Sequence, residues 1–154
     1  MQRIICILIV LAAPLLGAAG ADDDVRKELK ALEGKWKAVA GEAGGTPFPK
    51  DGISDFTFVV GADGKSKGKT PQDDLSFTMT VNPQMNPKTI ENLHDGGKQK
   101  GKKQYGIYKL EADRFTVCVT QPGAAEGDRP KDFNTKDTAN VVFVFERVKD
   151  DKKP

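Results

Sequence analysis

From Trp36 onward, apolar residues recur at every second position, and each such run is cut short by a turn signal. Successive side chains of a strand point to opposite faces, so this period of two dictates half-buried β-strands and rules out long helices over most of the chain. The clearest run is Leu75–Val81, where Leu75, Phe77, Met79 and Val81 share one face and Ser76, Thr78 and Thr80 the other. Trp36, Ala38 and Ala40 alternate with Lys35, Lys37 and Val39 in the same way. Ile53–Val60 carries Phe56, Phe58 and Val60 on one face. Weaker strands are read at Lys65–Thr70 and Thr89–Leu93. Lys103–Leu110 and Phe115–Thr120 flank the turn Glu111-Ala112-Asp113-Arg114, and Ala139–Val148 comes last.

Between these runs lie Gly- and Pro-rich stretches that read as loops: Gly41–Lys50, Asn82–Pro87, Gly96–Lys103 and Gln121–Lys136. Ala62-Asp63-Gly64-Lys65 is a tight turn of the Asp-Gly kind. About eight short strands with no helices between them predict an all-β domain, an antiparallel barrel or a β-sandwich. Closure into a barrel is favoured because it leaves no sheet edge for other chains to pair with.

A single helix precedes the strands. Asp22–Leu32 places Val25, Leu29 and Leu32 at helical spacing, with three aspartates at its start and Gly34 just past its end. It is expected to lid one end of the core.

Met1–Ala21 has the pattern of a secretory signal peptide. Arg3 precedes an apolar run, Ile4–Leu16, and Ala19-Gly20-Ala21 has the form that a signal peptidase cuts after. The run is shorter than the roughly 20 residues that span a bilayer. The expectation is an exported chain in the periplasm, envelope or extracellular space. It has one domain over 22–149, a charged tail over 150–154, and no membrane span after cleavage. Loss of Arg3 lowers the net charge from +2 to +1, which gives nucleic acid no reason to bind. Loss of Cys6 leaves Cys118 alone, so no intrachain disulfide is expected and packing must hold the fold. Cys118 sits in a strand pattern and reads as a small structural residue, its pairing between chains left open.

Residues suited to catalysis are few. With His94 as the one histidine and no second cysteine after cleavage, a structural zinc site is excluded. No Gly-x-Ser-x-Gly elbow and no Gly-rich phosphate loop occur. His94 falls in a polar loop. Asp22-Asp23-Asp24 lacks the spacing of a calcium loop. Glu91, Asp95, Glu111, Asp113 and Asp132 lie mostly at turns, and a carboxylate-dependent hydrolase is the last-ranked reading. Lys98, Lys100, Lys102 and Lys103 read as a solubilising loop. No catalytic residue, cofactor or metal is assigned.

Leu32-Glu33-Gly34-Lys35-Trp36, Pro87–Glu91, Gly106–Leu110, Asp113–Cys118 and Arg129-Pro130 with Phe133 follow one another along nearly the whole exported chain. This series resembles that of a secreted domain family of unknown function expanded in planctomycete bacteria, which brings no activity with it. Gly34, Trp36 and Arg147 also resemble the signature of lipocalin-like barrels, where a Gly-x-Trp of the first strand packs against an arginine of the last. The chain lacks the lipocalin disulfide and the second Thr-Asp-Tyr motif. The resemblance implies a lipocalin-like antiparallel barrel with a short N-terminal helix, a Trp36–Arg147 stack at one end, and a binding role.

With every apolar face turned inward, the interior would hold Trp36, Phe56, Phe58, Leu75, Phe77, Met79, Tyr108, Leu110, Phe115, Val117, Phe143 and Phe145. Eight strands enclose space just wide enough for side chains or one small ligand. So many rings predict an interior that is filled, or that leaves a small apolar cavity at the mouth. Ala38, Ala40, Phe58, Phe77, Tyr108 and Phe143 are the candidate ligand contacts. The expected function is a non-enzymatic binding or envelope-associated module for a small apolar ligand or an envelope component. The alternative is an interaction domain with no small-molecule site.

Overall fold

The computed structural model describes residues 18–149. The signal-peptide reading lies outside the described residues up to residue 17, and so does the tail read at 150–154.

Among the described residues, nine strands follow one helix: α1 (Ala18–Leu32), β1 (Gly34–Ala43), β2 (Thr46–Pro47), β3 (Thr57–Val60), β4 (Lys65–Lys69), β5 (Asp74–Asn82), β6 (Lys88–His94), β7 (Lys103–Glu111), β8 (Arg114–Val119) and β9 (Val141–Arg147), with one helical turn, α2 (Lys50–Ile53), between β2 and β3. All pairings are antiparallel. The order β1-β3-β4-β5-β6-β7-β8-β9 returns to β1 through a second edge, so eight strands close into a barrel. The two-residue β2 only folds back on the end of β1. Closure pairs every long strand on both sides, which removes the edges that an isolated sheet would expose.

The alternation read from the sequence is visible in the burial. In β5, Phe77, Met79 and Val81 are buried while Thr80 and Asn82 are exposed. Trp36, Phe58, Phe115 and Phe145 meet in the core, where the Phe58 and Phe145 rings stand edge to face at 4.8 Å and Phe115 lies 5.8 Å from Trp36. Such pairs contribute about 0.5–1.5 kcal/mol each beyond the area they bury. Leu32 is fully buried, and Val25 and Leu29 pack beside it, so α1 does lid one end of the barrel. Glu28 latches it there: its Oε1 accepts from Lys88 Nζ at 2.6 Å and from the Tyr108 hydroxyl at 3.0 Å.

Four expectations need correction. Ala40 does not face inward. The pairing of β1 with β9 slips between Ala38 and Ala40, and this bulge turns Ala40 out and brings Gly41 in. A Cβ on Gly41 would stand 2.7 Å from Phe48 and 3.0 Å from Phe143, so only glycine fits under those rings. Second, α1 starts at Ala18, which leaves Asp22–Asp24 inside the helix rather than at its first turn. Third, the run Ile53–Val60 is not one strand: Ile53 ends α2 and the strand begins at Thr57. Fourth, the stretch Gly41–Lys50 is not all loop: it holds the last three residues of β1, then β2, and the first residue of α2.

The stretch 121–140 is laid across the outer face of the barrel. Arg129 Nη1 donates to the carbonyls of Ile90 and Gly106 at 2.8 and 3.0 Å, and its guanidinium covers the Tyr105 ring at 5.1 Å. Thr135 is buried, accepts from the Gly45 amide at 3.0 Å and donates to Glu42. Tyr105, Ile107 and Cys118, on the outward side of β7 and β8, are consequently buried as well.

Candidate ligand cavity

The two ends of the barrel differ. At the α1 end, the Arg147 guanidinium lies 4.3 Å from the Trp36 ring centroid. Its Nη1 and Nη2 donate to the carbonyls of Glu33 and Ala31 at 2.5 and 2.6 Å, and its Nε lies 3.3 Å from Asp113. Trp36 Nε1 donates to the Leu32 carbonyl at 2.8 Å. The carbonyls left over at a helix C-terminus need partners, and here two side chains supply them. Gly34 is held to glycine twice over: its φ is +120°, and a Cβ would sit 3.0 Å from Arg147 Nη1. Gly34, Trp36 and Arg147 are therefore brought together as one sealed end.

The opposite end encloses a cavity of about 230 Å³. Its inner wall is aromatic, with Phe58, Phe77, Phe115, Phe143 and Phe145 among the lining side chains. Thr70, Gln99 and Pro122 reach it from the loops that follow β4, β6 and β8. No charged side chain among the described residues lines it. Of the candidate contacts, Phe58, Phe77 and Phe143 line the cavity and Ala38, Ala40 and Tyr108 do not. Ala38 is buried and Ala40 is outside the barrel. Tyr108 lies at the α1 end, where burial and the Glu28 carboxylate push its hydroxyl pKa well above the usual tyrosine range.

The cavity also has polar lining that sequence reasoning missed. His94 is not in a loop; it ends β6, and Ile90, Asn92 and His94 continue one inward face. Asn92 and His94 are 8% and 7% exposed. Asn92 Nδ2 donates to Gln104 Oε1 at 3.3 Å, and Gln104 Nε2 donates to the Thr120 carbonyl at 2.9 Å. Among the described residues, three buried polar atoms find no partner: Asn92 Oδ1, His94 Nε2 and Gln99 Oε1. Burial pulls the His94 pKa below its ordinary value, against the opposing effects of the Gln104 side chain and the Asp95 charge. The period-two alternation from Ile90 could have found Asn92 and His94; nothing in the sequence marks Gln99.

Groups tested for chemistry have structural occupations elsewhere. Cys118 is fully buried, and desolvation, with the Asp132 charge behind it, pushes its thiol up to about 11. Glu91 pairs with Lys103 at 2.7 Å, and Asp95 accepts from the Thr78 hydroxyl at 2.8 Å. Asp113 holds Arg147 and Lys149, and Asp132 accepts from the Asn134 amide. Among the described residues no helix is long and apolar enough to cross a membrane.

Comparison of the chain with protein-family models, with curated proteins and with solved structures returns no match.

Proposed function

We propose that this chain is an exported binding module of lipocalin-like build, whose barrel takes one small, largely apolar ligand through the end opposite α1. The observation that carries the reading is the 230 Å³ aromatic-walled cavity. An apolar void of about 150 Å³ is enough for a benzene ring, so this one suits a ligand somewhat larger than a single ring. It also weighs against a filled barrel that serves only as an interaction domain. The sealed end supports a single route of access: Arg147, Trp36 and Leu32 close the floor, and the loops bearing Thr70, Gln99 and Pro122 form the mouth. Export rests on the pattern of Met1–Ala21. The Gly34–Trp36–Arg147 arrangement supports kinship with lipocalin-like carriers. The motif series from Leu32 to Phe133 supports kinship with the planctomycete-expanded secreted family.

Titration of the purified protein with naphthalene, followed by heteronuclear NMR, tests the binding reading. Shift changes should centre on Phe58, Phe77 and Phe143 and vanish in Leu75→Trp, which fills the cavity from its wall. Absence of any shift in the unsubstituted protein would contradict a ligand site. N-terminal sequencing of protein secreted by a host cell tests export: a mature chain beginning at Asp22 is expected.

A further inference from the structure

The polar atoms of the cavity carry a statement about the ligand's head group. Buried polar groups in folded proteins nearly always have partners, and leaving one unpaired is costly. Among the described residues, three that line this one cavity each carry a buried polar atom without a partner: Asn92 Oδ1, His94 Nε2 and Gln99 Oε1. Two of them belong to residues more than nine-tenths buried. They are also held in place. Asn92 and His94 sit at fixed register on β6, opposite Met79 and Phe77 of β5, and the His94 ring lies 6.0 Å from Phe77. Gln104, on β7, takes up Asn92 Nδ2 and spends its own amide on Thr120. That leaves the Asn92 carbonyl oxygen free.

Two of the three atoms are amide carbonyl oxygens, which only accept hydrogen bonds. The third is a ring nitrogen of an imidazole whose pKa burial lowers, against the opposing effects of the Gln104 side chain and the Asp95 charge. Asp95 is itself engaged by the Thr78 hydroxyl. Among the described residues no lysine or arginine lines the cavity to pair with an anion.

We propose that Asn92, His94 and Gln99 form a head-group reader that selects an uncharged, hydrogen-bond-donating ligand, such as a ring compound bearing a hydroxyl or a carboxamide, and rejects the matching carboxylate. The proposal rests on the reading of the cavity as a ligand site. An N–H or O–H of the ligand reaches the carbonyl oxygens, and the ligand's oxygen accepts from the imidazole. A carboxylate would meet two acceptors with no cation to offset the loss of its hydration. The aromatic wall holds the ring body and the polar wall sets its orientation.

Calorimetric titration with four probes tests this: naphthalene, naphthol, methoxynaphthalene and naphthoate. Naphthol should bind roughly three- to tenfold more tightly than naphthalene, the gain expected of one neutral hydrogen bond. Methoxynaphthalene, which cannot donate, should show no such gain, and naphthoate should be the weakest. In Gln99→Leu, on a surface turn, and in His94→Phe, a change of similar shape, the naphthol-to-naphthalene ratio should fall toward one. Equal binding of naphthol and naphthalene by the unsubstituted protein overturns the reader while sparing the cavity. Tightest binding by naphthoate also overturns it. Failure of all four probes overturns the cavity reading and the reader with it.

Discussion

Arg147 reaches from the end of the last strand to lie 4.3 Å above the ring of Trp36, in the first. The same guanidinium takes up the carbonyls of Ala31 and Glu33 and is flanked by Asp113. One side chain thus joins the two strands that close the barrel to the C-terminus of the helix that lids it. Removing it leaves two carbonyls and an indole face without their partner. Arg147→Ala should cost about 2 kcal/mol, from lost stacking and charge-assisted hydrogen bonds. Denaturant unfolding measures this, and an unchanged midpoint would contradict the pinned end. Arg147→Lys should recover little, because a point charge cannot stack and fork at once.

The latch between α1 and the barrel is separable from that pin. Tyr108→Phe removes one hydrogen bond to Glu28 and leaves the ring in place. A loss of about 1.5–3 kcal/mol is expected, as for a hydrogen bond to a charged acceptor. Amide exchange should report faster opening in α1 than in β7 or β8. Uniformly faster exchange would mean that the helix does not move as a unit.

Cys118 should be chemically silent in the folded protein. Its thiol is fully buried and its pKa raised to about 11, so little thiolate forms near neutral pH and none is accessible. Iodoacetamide should leave it unmodified until denaturant is added, and no disulfide-linked dimer should appear under oxidation. Modification at the native rate of a free thiol would place the cysteine elsewhere.

Acid should weaken the fold through His94. Its folded-state pKa is lowered, so the unfolded chain binds a proton more readily than the native one. Above the ordinary histidine pKa of about 6.5 both states are neutral and nothing changes. As pH falls below that value, stability drops, and the loss levels off once pH is under the folded-state pKa. His94→Phe should remove this part of the pH dependence. Thermal melts of both proteins between pH 7.5 and 5 check it: parallel curves would show that His94 binds its proton equally well in both states.

Much of the barrel is legible in the sequence because strand alternation is a local signal. Leu75–Val81 announces its faces without help from the rest of the chain, and Gly34, Trp36 and Arg147 mark the closing strands. What escapes is set by non-local packing. The bulge after Ala38 answers to the register of β9 and to the bulk of Phe143 and Phe48 over Gly41. The sequence leaves a filled interior and a small cavity at the mouth both open, because a count of aromatic residues does not say where they stand: Trp36 and Tyr108 are placed at the α1 end. Asn92 and His94 escape because polar residues at inward positions run against the pattern by which strands are recognised.

The central claim is an apolar chamber at the end of the barrel away from α1, and xenon reports such a chamber directly. Diffraction from crystals under xenon pressure should show xenon bounded by Phe58, Phe77 and Phe145, and its loss in Leu75→Trp. A pressurised crystal with no xenon inside the barrel, its rings packed across the space, would contradict the account.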